Sequence, residues 1–178
     1  MKLLDSLWQG VWRDLMRQGG RVRKRIINRD TGKISTSDEA WLDLESLARV
    51  EVSSEDSQHP IEAAFALNAS PGWRAATPGQ QIVRLLFDEP QNVRLIHLIF
   101  DEHDQERLQE YTLSWCPGDR QPYREIVRQQ YSFSPPTTVR EVEDYRVNLD
   151  RCAGLELSII PDVRGSAVRA SIAQFRVA

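Results

Sequence analysis

Apolar positions along this chain follow two different rhythms. In residues 1–20, Leu4, Leu7, Trp8, Val11 and Leu15 recur at intervals of three and four, the spacing of a helix with one apolar stripe. Gly19-Gly20 closes the stretch, where a C-terminal glycine belongs. Gly10 costs ~1 kcal/mol relative to alanine inside it, so the helix is marginal in isolation. Beyond it, Asn28 to Gly32 is a turn between two short β-prone runs, a hairpin or a linker. Ser37, followed by Asp38 and Glu39, then starts a second helical pattern on Trp41, Leu44 and Leu47.

From about Ala48 the period drops to two. Val50 to Val52, Gln81 to Phe87, Val93 to Phe100, Leu108 to Trp115, Tyr123 to Phe133, Tyr145 to Leu149, Leu155 to Ile160 and Val168 to Val177 form short runs bounded by Pro, Gly, Asp and Ser. Val83, Leu85 and Phe87 share one face, with Arg84 on the other. Strands this short and numerous, with no long helix between them, predict an all-β fold. The expected architecture is an antiparallel jelly-roll β-sandwich of about eight strands over residues 47–178. The N-terminal helical extension, with its basic linker or hairpin, occupies residues 1–46.

Composition changes this picture only in its charge. The 178 residues carry a net −3. Seven basic and two acidic residues in positions 1–25 give +5, so the other 153 residues carry −8. A basic head on an acidic body bears on partners, since long-range fields act on association rather than on fold. No apolar run reaches the ~20 residues of a spanning helix, and Asp5, Gln9, Arg13 and Asp14 interrupt any secretory core at the start. The expected location is therefore the cytoplasm, with Cys116 and Cys152 as free thiols.

Three stretches carry a resemblance. Ser53-Ser54 follows the first strand and leads through His59-Pro60 to Trp73-Arg74-Ala75-Ala76. Gly79 to Phe87 then runs into Pro90-Gln91-Asn92-Val93, and Gln109 to Trp115 precedes Pro117-Gly118-Asp119 and Tyr123-Arg124. Over residues 47–178 this resembles the galactose-binding-like superfamily, in particular the discoidin or coagulation-factor C-type domains. The first stretch is also similar to the N-terminal domain of the X-ray-repair scaffold for single-strand breaks. Two features depart from the pattern: both cysteines are internal, and Gly118-Asp119 stands where the family often has Asp-Gly. The resemblance implies binding of a sugar, lipid, protein or nucleic acid through loops at one end of the sandwich. The fold by itself does not choose among them.

The residues contain no catalytic signature: no P-loop, no GxGxxG, no GxSxG, no CxxC and no zinc spacing among His59, His97 and His103. The expectation is a non-enzymatic binding or scaffold module without a resident cofactor. Candidate ligand residues lie in the loops: Asp101, His103, Asp104 and Arg107 in one, Arg120, Tyr123 and Arg124 in another, with Ser134 to Thr138 as a third contact. The carboxylates of Asp101 to Glu106 have the chemistry for a structural calcium, although a solvated acidic loop is the simpler expectation. An arginine–aromatic group such as Arg120, Tyr123 and Arg124 can stack on a sugar or a base, or lie at an ordinary strand edge. Trp73 is expected in the core, His97 as a hydrogen-bonded sheet residue, and Ser53, Ser54 and Asp56 as turn formers.

These readings leave two leading partner classes, a carbohydrate and a protein surface, contacted by the end loops. Nucleic acid is a weaker match because the body is acidic. The stripe of Leu4, Leu7, Trp8, Val11 and Leu15 must be buried on something: the sandwich, a partner groove in a larger complex, or a membrane surface contacted peripherally.

Overall fold

A computed structural model describes residues 40–66, 71–118 and 121–178. The stripe residues Leu4, Leu7, Trp8, Val11 and Leu15, and Arg120, lie outside the described residues. The elements are α1 (Leu44–Leu47), β1 (Ala48–Val52), α2 (Glu62–Phe65), β2 (Trp73–Pro78), β3 (Gln81–Asp101), β4 (Arg107–Cys116), β5 (Arg124–Phe133), β6 (Arg140–Ile160), β7 (Arg169–Ile172) and β8 (Gln174–Val177). Among the described residues, neither helix is long and apolar enough to cross a membrane.

The main sheet runs β1-β3-β6-β4-β5, with β8 also on β3. All of its pairs are antiparallel. Two strands of 21 residues make the sandwich. In the first half of β3, Val83 to Phe87 pair with β1, and Gln81 to Leu86 pair with Gly154 to Ile159 of β6. The ladder shifts register between Leu86 and Leu95 and turns a corner there. In the second half, Val93 to Asp101 pair with Arg140 to Leu149 of β6, and Ile96 to Ile99 also pair with β8. The two halves face each other as layers: the rings of Phe100 and Tyr111 meet at 4.9 Å between centroids, and the hydroxyls of Tyr111 and Tyr145 lie 2.5 Å apart.

Sequence and structure differ here in an instructive way. Val93 to Phe100 is the continuation of β3, and Tyr145 to Leu149 belongs with Leu155 to Ile160 in β6. Exposed Asp88, Glu89 and Pro90 bend the strand at the corner without ending its pairing. The run Val168 to Val177 is in turn two strands, broken at Ala173, whose N–H donates to the Ile99 carbonyl. The extra strand β2 begins at Trp73 and pairs with β7, and this small ladder closes one end of the core. Trp41 stands before α1 rather than within it, with the Arg176 guanidinium 3.9 Å from its ring centre.

The core lies between the layers and under the β2–β7 ladder. Trp73, Ala75, Leu85, Leu98, Phe100, Phe133, Leu157, Ile172 and Phe175 are fully buried. Each large apolar side chain removed from water contributes about 1.5–3 kcal/mol. Trp73 is thus a core residue, as its sequence context predicts. His97 is the predicted sheet histidine, with Nδ1 2.7 Å from Asp144 Oδ1. Ser53 and Ser54 both donate to Gln81 Oε1, at 2.6 and 2.8 Å, and Asp56 accepts from the Gln58 N–H at 3.0 Å.

Candidate functional site

The register separates the loops. β4 starts at Arg107, opposite Phe133, and ends at Cys116, opposite Gly154. At a rise of about 3.3 Å per residue its ends are roughly 30 Å apart. The proximal end holds Cys116, the corner of β3 and the C-terminal Ala178, whose N–H donates to the Leu95 carbonyl at 2.9 Å. The distal end holds the Asp101 to Arg107 connection, the Ser134 to Thr138 turn and the β2–β7 ladder.

Tyr123 and Arg124 belong to the proximal end. Tyr123 is half-buried, with its hydroxyl against Gly154, and the Arg124 guanidinium lies 5.7 Å from the Trp115 ring centre. A side chain at position 154 would place its Cβ 2.9 Å from the Leu85 carbonyl oxygen, so only glycine permits this approach. Hence the structure does not bring Tyr123 and Arg124 together with Asp101, His103 and Asp104. The Asp101 to Arg107 and Ser134 to Thr138 loops do meet: the Glu102 N–H donates to the Val139 carbonyl at 2.8 Å.

At the distal end most charges are already neutralised. Arg140 grips Asp101 through two hydrogen bonds of 2.7 Å. Arg169 pairs with Asp56 at 3.2 Å, and Arg107 with Glu102 at 3.2 Å. Arg107 is fully buried, donates to the Arg169 carbonyl at 3.1 Å and stacks 5.3 Å from the Phe133 ring centre. Burial pushes its guanidinium down and Glu102 opposes that shift. Its place is beneath the site, where it ties β4 to β7, rather than in an exposed loop. Hydrogen bonds from Ser166 and from the N–H groups of Arg164 and Leu108 hold Asp162 well below the usual carboxylate range, against its burial. That carboxylate fixes the connection from β6 to β7.

What remains is a groove with unused bonding capacity. Arg74 follows buried Trp73 in β2, so strand alternation turns it outward, and register sets it opposite Ser171 of β7. The groove has two adjoining compartments. The larger, of about 240 Å³, is lined by Pro71, Ile172, Ala173 and His103 together with Arg74 and Asp104. The smaller, of about 120 Å³, adds Gln105 and Arg169 to Arg74, Asp104 and Ser171. Among the described residues, the side chains of Arg74, His103 and Asp104 enter no hydrogen bond or ion pair. An unpaired guanidinium, carboxylate and imidazole on one concave surface can donate to and accept from a polyhydroxy ligand. The acidic loop does not converge on a cation: among the described residues no three His, Cys, Asp or Glu side chains are grouped as metal ligands.

Of this groove, Asp101, His103 and Asp104 are predicted by loop position in the sequence, Asp101 being held there by Arg140. Arg74, Ser171, Gln105 and Arg169 are not. The signal for Arg74 is its place directly after a core tryptophan, and for Ser171 there is none, because only the β2–β7 pairing brings it here.

No protein-family model and no curated protein matches the sequence. Solved structures do match. The family 32 carbohydrate-binding module of C. perfringens NanJ, in complex with galactose, superposes with a TM-score of 0.54 at 14% identity, over 73% of this chain and 92% of that one. The CBM32 of AlyQ in complex with 4,5-unsaturated mannuronic acid gives 0.56 at 16% identity, over 79% and 98%. CBM32-3 from a family 31 glycoside hydrolase of Clostridium perfringens gives 0.57 at 14%, over 77% and 93%. The chain has the galactose-binding-like fold. At these identities the likeness concerns the sandwich, and the residues of the distal groove have to be judged by their own chemistry. In this galactose-binding-like sandwich the groove opens at the end opposite the C-terminus.

Proposed function

We propose that this protein is a non-catalytic carbohydrate-binding module whose site is the distal groove. The observation that carries the reading is the set of unpaired Arg74, His103 and Asp104 beside Ser171, in a region where the neighbouring charges are mutually neutralised. A sugar hydroxyl is both donor and acceptor, so opposed free arginine and aspartate groups suit it better than either suits an ion. The reading draws support from neighbours of the same fold that were solved with galactose and with an unsaturated mannuronic acid.

A binding role fits the carboxylates better than hydrolysis. Glycoside hydrolysis uses two acids flanking the scissile bond. Here Asp101 and Glu102 are held by Arg140 and Arg107, which leaves Asp104 as the free acid lining the groove.

The test is a glycan array probed with the full-length chain. The expected result is retention on a defined subset of glycans, lost in Arg74→Ala and in Asp104→Ala. Uniformly absent binding, or binding indifferent to both substitutions, contradicts the reading.

A further inference from the structure

The groove is divided, and the division has a consequence for the size of its ligand. Arg74, Asp104 and Ser171 line both compartments, so they stand on the boundary between them. One compartment is larger, and Pro71 and Ala173 give it an apolar wall. The other is half its volume and polar, with Gln105 and Arg169. Neither alone reaches the ~300 Å³ at which compact ligand sites begin.

We infer that the site reads two consecutive units of a neutral glycan, one in each compartment, with Arg74 and Asp104 bonded to hydroxyls beside the linkage; this rests on the carbohydrate reading above. The apolar wall matches the C–H face of one pyranose ring. The smaller compartment is too small to enclose a second ring and takes only its edge, through Gln105. Charge argues for a neutral ligand. Arg74 and Asp104 cancel, and Arg169 is already paired with Asp56 at 3.2 Å. A uronate at the boundary would meet the Asp104 carboxylate as well as the Arg74 guanidinium.

Gln105 isolates the second compartment experimentally. Its side chain is exposed and bonds to nothing described, while its backbone N–H donates to Glu102 Oε1 at 3.1 Å, a contact any residue preserves. The experiment is calorimetric titration of the full chain, wild type and Gln105→Ala, with matched pairs: methyl galactoside and lactose, methyl glucoside and cellobiose or maltose, methyl mannoside and mannobiose, with galacturonic and digalacturonic acid as the charged pair. For the sugar that binds, the disaccharide should bind about tenfold more tightly than its monosaccharide. Gln105→Ala should remove most of that gain and leave the monosaccharide affinity unchanged. Equal affinities for the two members of the pair, a gain untouched by Gln105→Ala, or a preference for the uronates would overturn the two-unit site while leaving a sugar site standing. If none of the sugars binds, the carbohydrate reading itself fails, and this inference with it.

Discussion

Arg107 and Glu102 form an ion pair of 3.2 Å in which the arginine is wholly buried and the glutamate 8% exposed. The pair joins the start of β4 to the loop that carries His103 and Asp104, and Arg107 also reaches β7 through the Arg169 carbonyl. Through it the groove is built on the core.

Removing one partner of such a pair leaves an uncompensated buried charge. Arg107→Ala should therefore lower stability by about 3–5 kcal/mol. Arg107→Met combined with Glu102→Gln, which removes both charges, should recover much of the loss. Urea denaturation measures both, and a loss below about 1 kcal/mol in Arg107→Ala would show that the pair does not anchor the loop.

Glu141 and Glu143 stand two apart on β6 and share a face with Tyr145. Burial first, and then the neighbouring Glu143, raise the Glu141 carboxyl from 4.5 to about 7, opposed by a hydrogen bond from Tyr131. In the unfolded chain Glu141 releases its proton near 4.5. The folded state holds more protons between that pH and 7, so stability is full below about 4.5 and falls as pH rises through 7. A fully shielded group would contribute about 3 kcal/mol, and solvent screening of this half-buried one reduces that to about 1 kcal/mol. Glu141→Gln should raise the melting temperature at pH 8 and have little effect at pH 4.5. An equal change at both values would contradict the assignment.

Cys152 is fully buried and its thiol is pushed by burial up to about 11. Cys116 is 7% exposed and donates to the Gly118 carbonyl at 2.8 Å. Neither should react with an aromatic disulfide reagent within minutes in the native protein, and both should react in urea. One rapid equivalent in the native protein would mean that the proximal corner opens.

The strands were legible in the sequence because alternation survives wherever one face is buried. Val83, Leu85 and Phe87, or Leu113 flanked by Thr112, display it directly. Strand ends were less legible. Pairing continues past Pro90 because a bulged corner tolerates the missing N–H, whereas it breaks at Ala173, which no turn residue marks. The groove was legible only in its loop residues Asp101, His103 and Asp104. Arg74 and Ser171 come from strands far apart in the chain, and their juxtaposition is a product of register. Conversely, Arg107, Tyr123 and Arg124 have ligand-binding chemistry but are held away from the groove, by burial in the first case and by the length of β4 in the others.

The proposed sugar site at the distal end depends on Arg74 and Asp104. Its most direct test is calorimetric titration of an array-selected glycan into wild type, Arg74→Ala, Asp104→Asn and the proximal Arg124→Ala, with melting temperatures measured alongside. A hydrogen bond to a charged group contributes about 1.5–3 kcal/mol, so each distal substitution should weaken binding roughly tenfold to a hundredfold without moving the melting temperature. Arg124→Ala should bind as wild type does. Undiminished binding in both distal variants, or a loss confined to Arg124→Ala, would contradict the claim.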